Sequence, residues 1–282
     1  MTLSHNIVFM TADISSSELK DFLEVVKAAY GYDFTDYSEA SMKRRIIHFM
    51  ILKKLKELNG LKKLLLDSDI LFEEFIQEIS VTVTEMFRDE NFYRSLREKV
   101  LPRLATYPLI KIWLAGCATG EELYSIAILL HEEGLGSRSI IYATDINQRS
   151  LMIAKEGIYG IDKMKVSTSS YLKSGGKNSL SQFYTAKYDS VIFDKSLKQN
   201  VVFSVHNLAV DKSFNEFQLI ICRNVLIYFN QALQNKVVDL FYESLCPFGF
   251  LGLGNKESLL FCDQKINFED VDRKEKIFIK AR

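Results

Sequence analysis

From Ile110 onward, apolar runs of strand character alternate with segments of helical spacing, and nothing else in the chain restricts its fold as much. Ile110 to Ala115 leads through a Gly-containing turn to a helical stretch, Glu121 to Glu133, then to a strand, Ile140 to Ala143, and a helix, Ser150 to Gly157. Strands joined through helices pair in parallel, so this order predicts an α/β, doubly wound sheet. Between Lys163 and Asn200 the rhythm breaks. The stretch STSSYLKSGGKNSLSQ reads as a loop, and the short β-type pieces Phe183 to Tyr188 and Val191 to Phe193 read as a small inserted antiparallel sheet. The alternation returns with Val201 to Val205, Phe217 to Cys222, a helix from about Gln231 to Leu245, Phe250 to Leu253 and a last strand near Lys276 to Lys280.

Ahead of the sheet, Ser15-x-x-Glu18 forms a capping box for a helix carrying Leu19, Phe22, Leu23 and Val26 at helical spacing and stopping at Gly31. Two further helical segments, Ser38 to about Asn59 and Ile70 to Ser80, complete a small all-α unit. The expected organisation is a helical domain over 1–80 and a larger domain over 81–282, with the β-subdomain inserted at about 165–203. Lys+Arg and Asp+Glu balance at 36 each, so no global field draws the chain to nucleic acid or membrane. The four cysteines are widely spaced and the histidines scattered, which fits reduced thiols, no metal and a cytoplasmic protein. No export signal is read at the amino terminus, and no run reaches the roughly 20 apolar residues of a membrane span.

The run Ile221-Cys222-Arg223-Asn224-Val225-Leu226-Ile227-Tyr228-Phe229 breaks an apolar strand with a charge and an amide. Burying these is costly unless they are used, and the carboxyl ends of parallel strands are where ligands sit. A turn that caps the next helix is the competing explanation. The turn Ala115-Gly116-Cys117-Ala118-Thr119-Gly120-Glu121-Glu122 joins a strand to a helix, where small residues admit a ligand to the backbone. It is not the dinucleotide fingerprint, and two carboxylates stand where a pyrophosphate would bind, which argues against a nicotinamide-dependent dehydrogenase. Asp145 ends the next strand about 25 residues past Gly120, near the ~20-residue spacing of an acid that takes ribose hydroxyls. An adenosine ligand with an amino group and no phosphate suits these acids, and S-adenosyl-L-methionine is such a ligand. Helix capping by Asp145 and dipole complementation by Glu121 and Glu122 are the structural alternatives.

Three motifs then carry a resemblance: Thr84-Glu85-Met86-Phe87-Arg88-Asp89, similar to T-x-F-F-R-[DE]; Ala118-Thr119-Gly120-Glu121-Glu122-Leu123-Tyr124-Ser125, similar to S-T-G-E-E-P-Y-S; and Cys222 to Phe229, which matches C-R-N-V-L-I-Y-F. In these and in their order the chain resembles the CheR-type chemotaxis methyltransferases over nearly its whole length. The resemblance implies a Rossmann-like S-adenosylmethionine-dependent methyltransferase domain with an inserted β-subdomain, preceded by a small all-α domain. It implies methyl transfer from S-adenosyl-L-methionine to glutamate side chains on the cytoplasmic helices of methyl-accepting chemotaxis receptors, with S-adenosyl-L-homocysteine as product. It implies that Thr84 and Arg88 hold the methionine end of the cofactor, with Thr82 at a position where many relatives carry Asn. Glu122 then takes the amino group, Asp145 the ribose, and Asn207 and Leu208 the adenine side. Arg223 and Asn224 complete the pocket floor and Tyr228 faces the transferred methyl. Leu123 and Gly254-Asn255-Lys256-Glu257 depart from the usual Pro and G-H-S-E.

Glutamate, with an ordinary pKa of about 4.3, is already ionised at neutral pH, so the transfer needs positioning and no general base. Arg88 and Tyr228 are the residues expected to orient it. The segment from Lys43 to Lys63 holds Lys43, Arg44, Arg45, Lys53 and Lys54 among its cations against the single acid Glu57. It is expected to dock an acidic helix, a solvated helix face being the alternative. A silent S-adenosylmethionine-binding module is opposed by the joint presence of Arg88, Asp145, Arg223 and Tyr228. An RNA methyltransferase would need an extended basic face with stacking aromatics, which is not found.

Overall fold

The computed structural model describes residues 14–80 and 84–281, and Thr82 lies outside the described residues. The chain divides into two units, Met1–Ile79 and Ser80–Arg282.

The first unit is helical. Helix α1 (Ser16–Tyr30) begins at the Ser15–Glu18 capping box and ends where Gly31 turns left-handed and donates its N–H to the Lys27 carbonyl. The stretch read as a single segment from Ser38 to Asn59 divides into α2 (Glu39–Leu52) and the start of α3 (Leu58–Leu66), because Lys54 takes a left-handed conformation between them. Helix α4 (Asp69–Ile79) closes the unit. Phe75 receives the edges of Phe22 and Phe49 at centroid distances of 5.7 and 5.4 Å, which seats three helices on one aromatic core.

The second unit opens with α5 (Glu90–Ser95), a π-turn over Leu96–Val100 and α6 (Leu101–Leu104). Strand β1 (Ile110–Ala115) is followed by α7 (Glu121–Glu132), β2 (Ser139–Asp145) and α8 (Gln148–Glu156). Next come β3 (Ile158–Gly160), α9 (Asp162–Lys173), β4 (Tyr184–Lys187) and β5 (Ser190–Phe193). The chain returns to the main sheet with β6 (Val201–Val205), β7 (Phe217–Cys222), α10 (Gln231–Ser244), β8 (Leu245–Leu253), β9 (Phe268–Asp272) and β10 (Ile277–Lys280).

The main sheet runs β6-β2-β1-β7-β8-β10-β9, with β10 antiparallel to both of its neighbours and the first five strands parallel. Strands β1 and β7 are buried except at Lys111 and Gln218, which are half-buried, as central strands of a parallel sheet are. Trp113 is fully buried at the centre of β1, its indole N–H donating to the Thr144 hydroxyl at 2.8 Å and its ring meeting Phe214, Phe217 and Phe241. The strand order reverses between β1 and β7, which places the topological switch point beside the two loops that leave their carboxyl ends.

The inserted sheet is three-stranded and antiparallel, in the order β3-β5-β4. Its first strand comes from Ile158–Gly160, and the stretch read as a loop, which starts at Ser167, includes the second half of α9. The helix forms against local propensity: Ser and Thr are poor helix formers, yet Met164, Ser167 and Tyr171 share a buried face. The hydroxyls of Ser167 and Thr168 also donate back to the carbonyls four residues earlier. All four cysteines are free and buried. Among the described residues, no helix is long and apolar enough to cross a membrane.

Candidate active site

The loops leaving the carboxyl ends of β6, β2, β1 and β7 come together through their own hydrogen bonds. The turn after β1 folds across the tip of β2, with the amides of Gly116 and Cys117 both donating to the Thr144 carbonyl at 2.9 Å. A side chain at Gly116 would be strained, since φ is +81°, and its Cβ would lie 2.5 Å from a Val225 methyl that would have to shift, so this turn packs directly on the segment after β7. Asp145, at the tip of β2, is 9% exposed. Its carboxylate accepts from the Ala118 amide at 2.8 Å and from the Asn147 amide at 2.9 Å. Asn147, not Asp145, is the N-cap of α8, accepting from the Ser150 amide. Burial pushes the Asp145 carboxyl above its ordinary pKa, and the backbone donors partly offset that. Beyond β6, the buried pair Asn207 and Leu208 follows His206, whose amide donates to the Asp145 carbonyl.

Arg223 is the hub. Its side chain is 2% exposed, and it donates to Glu122 Oε1 at 2.9 Å, to Asp89 Oδ2 at 2.6 Å and to the Arg88 carbonyl at 3.0 Å. Its guanidinium lies 4.2 Å from the centroid of Phe92. It therefore binds the Thr84–Asp89 loop, the α7 amino terminus and the end of β7 into one piece. The Phe87 amide is held separately by Ser125 Oγ at 2.9 Å. The bonds recorded for Glu122, from Arg223 and more distantly from the Tyr93 hydroxyl at 3.4 Å, all fall on Oε1. Arg88 and Thr84 are half-buried, and Thr84 lines a cavity of about 380 Å³ with Met86, Glu121, Tyr159 and Met164.

Asn224 follows in the left-handed region, and the next three residues turn toward the half-buried Tyr228. One buried carboxylate fixes this turn. Glu257 accepts from the amides of Gly254, Asn224, Val225 and Leu226 at 2.6, 3.0, 2.8 and 2.8 Å. Burial pushes its pKa up while the four donors pull it back. The role of Glu257 was not drawn from the sequence, although the Gly254-x-x-Glu257 spacing after a strand was visible. Asp89, which takes the Arg223 charge, ends the Thr84–Asp89 motif, where its spacing alone marks no role. Phe87, Asp89, Ala118 and Asn224 all have positive φ, so the three motifs share backbone strain where their loops converge.

In the helical unit the basic segment is partly committed to internal pairs. Lys43 bridges Glu39 at 2.7 Å, Lys53 bridges Glu74, and Arg45 donates to the Glu78 carbonyl at 3.2 Å. Arg44 and Lys54 are exposed.

A sheet with one reversed strand near its edge, a glycine turn bearing acids and a ribose-type carboxylate on the adjacent strand define a Rossmann-like S-adenosylmethionine-dependent methyltransferase. The donor set fits that cofactor: Asp145 is anchored by backbone donors with lone pairs left for hydroxyls, and Glu122 keeps an oxygen for an ammonium group. The sequence matches the CheR methyltransferase all-alpha domain over residues 17–80 and the CheR methyltransferase SAM binding domain over residues 82–277. It is 46% identical to Cher3 of Pseudomonas putida over 94% of this chain and 97% of that one. It is 33% identical to the chemotaxis protein methyltransferase of Listeria monocytogenes, over 85% and 89%, and 30% identical to that of Borreliella burgdorferi, over 92% and 94%. The chain belongs to the CheR methyltransferase family and is an enzyme, a methyltransferase with an S-adenosylmethionine-binding domain.

Removing the Glu257 carboxylate strands four amides. Glu257→Ala should lower stability by on the order of 3 kcal/mol and weaken cofactor binding, as read by urea unfolding and calorimetric titration. Unchanged values in both would contradict the anchoring role.

Proposed function

We propose that this enzyme is a protein-glutamate O-methyltransferase acting in the cytoplasm on the helices of methyl-accepting chemotaxis receptors. The observation that carries the reading is the Arg223 hub, which joins the acid-bearing turn to the segment carrying Tyr228. The relatives named chemotaxis protein methyltransferase support a substrate that acts in chemotaxis.

When bound, S-adenosyl-L-methionine supplies an electrophilic methyl group on a sulfonium, and S-adenosyl-L-homocysteine remains after transfer. Glu122 would hold its amino group, Asp145 its ribose and Asn207 with Leu208 its adenine side, while Thr84 and Arg88 would bound the methionine end and Asn224 the floor. Thr82 is assigned to the same end by resemblance alone. Arg223 would act through Glu122, since its own side chain is enclosed.

The acceptor carboxylate is ionised at neutral pH, so no proton has to be moved before attack. One methyl–sulfur bond breaks and one methyl–oxygen bond forms. What the protein contributes is alignment, for which effective molarities of roughly 10⁵ to 10⁸ M are available. Arg88 and Tyr228 would orient the acceptor. A grip by Arg88 tighter in the ground state than in the transition state would slow the reaction, so it should steer more than clamp.

Methyl label transferred from S-adenosyl-L-methionine to receptor protein should be released by mild base, as a carboxyl ester is. Base-stable label would point to nitrogen methylation and overturn the reading. Tyr228→Phe should reduce turnover more than cofactor affinity and Asp145→Ala the reverse. Wild-type cofactor affinity should fall on acidification before the ordinary carboxylate range is reached, because Asp145 protonates early. Equal losses of turnover and affinity in Tyr228→Phe would remove its assignment.

The exposed cations Arg44 and Lys54 are assigned to docking an acidic helix, with Lys43, Arg45 and Lys53 shaping the surface through their internal pairs. Arg44→Glu with Lys54→Glu should raise the receptor KM and flatten its salt dependence while leaving cofactor binding intact. An unchanged KM at low salt would refute this docking face.

A further inference from the structure

The inserted sheet reaches the cofactor turn through one hydroxyl. Strand β3 has three residues, and only Tyr159 points inward; Ile158 is exposed and Gly160 is half-buried. The Tyr159 hydroxyl donates to the Thr119 carbonyl at 2.7 Å, in the middle of the turn after β1. The next residue, Gly120, has φ of +95°, and a Cβ there would meet Ala154 at 2.7 Å and this same hydroxyl at 3.0 Å. Thr119 in turn donates from Oγ1 to Glu121 at 2.6 Å, so the carbonyl that Tyr159 holds belongs to the residue that sets the first turn of α7. Glu122 follows directly.

The ring of Tyr159 is fixed from the other side. It meets the edges of Tyr124 and Phe193 at 5.8 Å each, and Phe193 stacks on Tyr124 at 4.7 Å. Phe193 ends β5, the central strand of the small sheet, and its amide donates to the Gly157 carbonyl just before β3. The backbone of Tyr159 pairs with Val191. Order in the small sheet therefore sets where the hydroxyl stands. Burial raises the Tyr159 pKa, which keeps the group a proton donor throughout the physiological range.

We propose that Tyr159 is a positioning residue for the cofactor turn and that it couples the inserted sheet to the cofactor. Order in β3 and β5 favours cofactor binding, and by linkage cofactor binding orders β3 and β5. The sheet is then a control element for the turn as well as a surface feature. The inference rests on assigning the turn at 116–122 to the cofactor, which loss of binding in Asp145→Ala examines separately.

The test uses the full chain with S-adenosyl-L-homocysteine as probe. In the wild type, the probe should slow amide exchange at 158–160 and 190–193 several-fold. Absence of that protection overturns the proposal whatever the variants do. Tyr159→Phe keeps the ring packing and removes one neutral hydrogen bond, so it should raise the probe Kd about five-fold and abolish the added protection. Tyr124→Phe removes a comparable bond, 3.0 Å to the Ala154 carbonyl, that does not touch the turn. It should lower the thermal midpoint and leave the Kd unchanged. If both variants weaken binding equally, the effect is general loosening and the proposal fails, as it does if Tyr159→Phe binds like the wild type.

Discussion

A single guanidinium holds the catalytic unit's loops in register. Arg223 is nearly sealed from water, and an arginine so placed is tolerable only if its charge is met. Glu122 and Asp89 meet it, the Arg88 carbonyl takes a further N–H, and Phe92 offers its ring face. Arg88, Asp89 and Phe92 come from one stretch of sequence and Glu122 from another, so the cost of desolvating one charge is offset only when these two and the end of β7 adopt their final positions together. That condition makes the site a cooperative structure and not a set of independent side chains.

Glu257 does for the backbone what Arg223 does for the side chains. Four amides converge on one carboxylate and force Asn224 into a left-handed conformation, which starts the turn that brings Tyr228 round. The glycine turn packs on this segment through Gly116 and Val225. The candidate binding groups and the residue proposed to face the methyl thus stand on one bonded frame, although β1 and β7 are separated by about a hundred residues of chain.

The sheet was legible because its strands are buried on both faces and advertise themselves as apolar runs, as at Ile110–Ala115 and Phe217–Cys222. The α1 boundaries were legible because caps are local chemistry, written in Ser15, Glu18 and Gly31. Helix α9 was not, since its serines and threonines argue against helix and only tertiary burial of Met164 and Tyr171 overrides them. Strand β3 has too few residues to show a period. The motifs placed the candidate site at Glu122 and Arg223, and strand-end spacing added Asp145, without telling which of them face a ligand. The enclosure of Arg223 and the capping of α8 by Asn147 are tertiary facts. So is the loss of Lys43, Arg45 and Lys53 to internal partners, which narrows a broad basic segment to a few exposed cations.

The buried thiols give the site a property unrelated to methyl transfer. Cys117 lies within the turn after β1 and Cys222 at the tip of β7, and burial pushes both well above the ordinary thiol pKa. A neutral, enclosed thiol is a poor nucleophile toward oxidants and a poor metal ligand. Sulfur so placed in the turn is shielded by the same burial that raises its pKa. Reaction of these cysteines with an alkylating reagent would report, in time, how often the strand tips part.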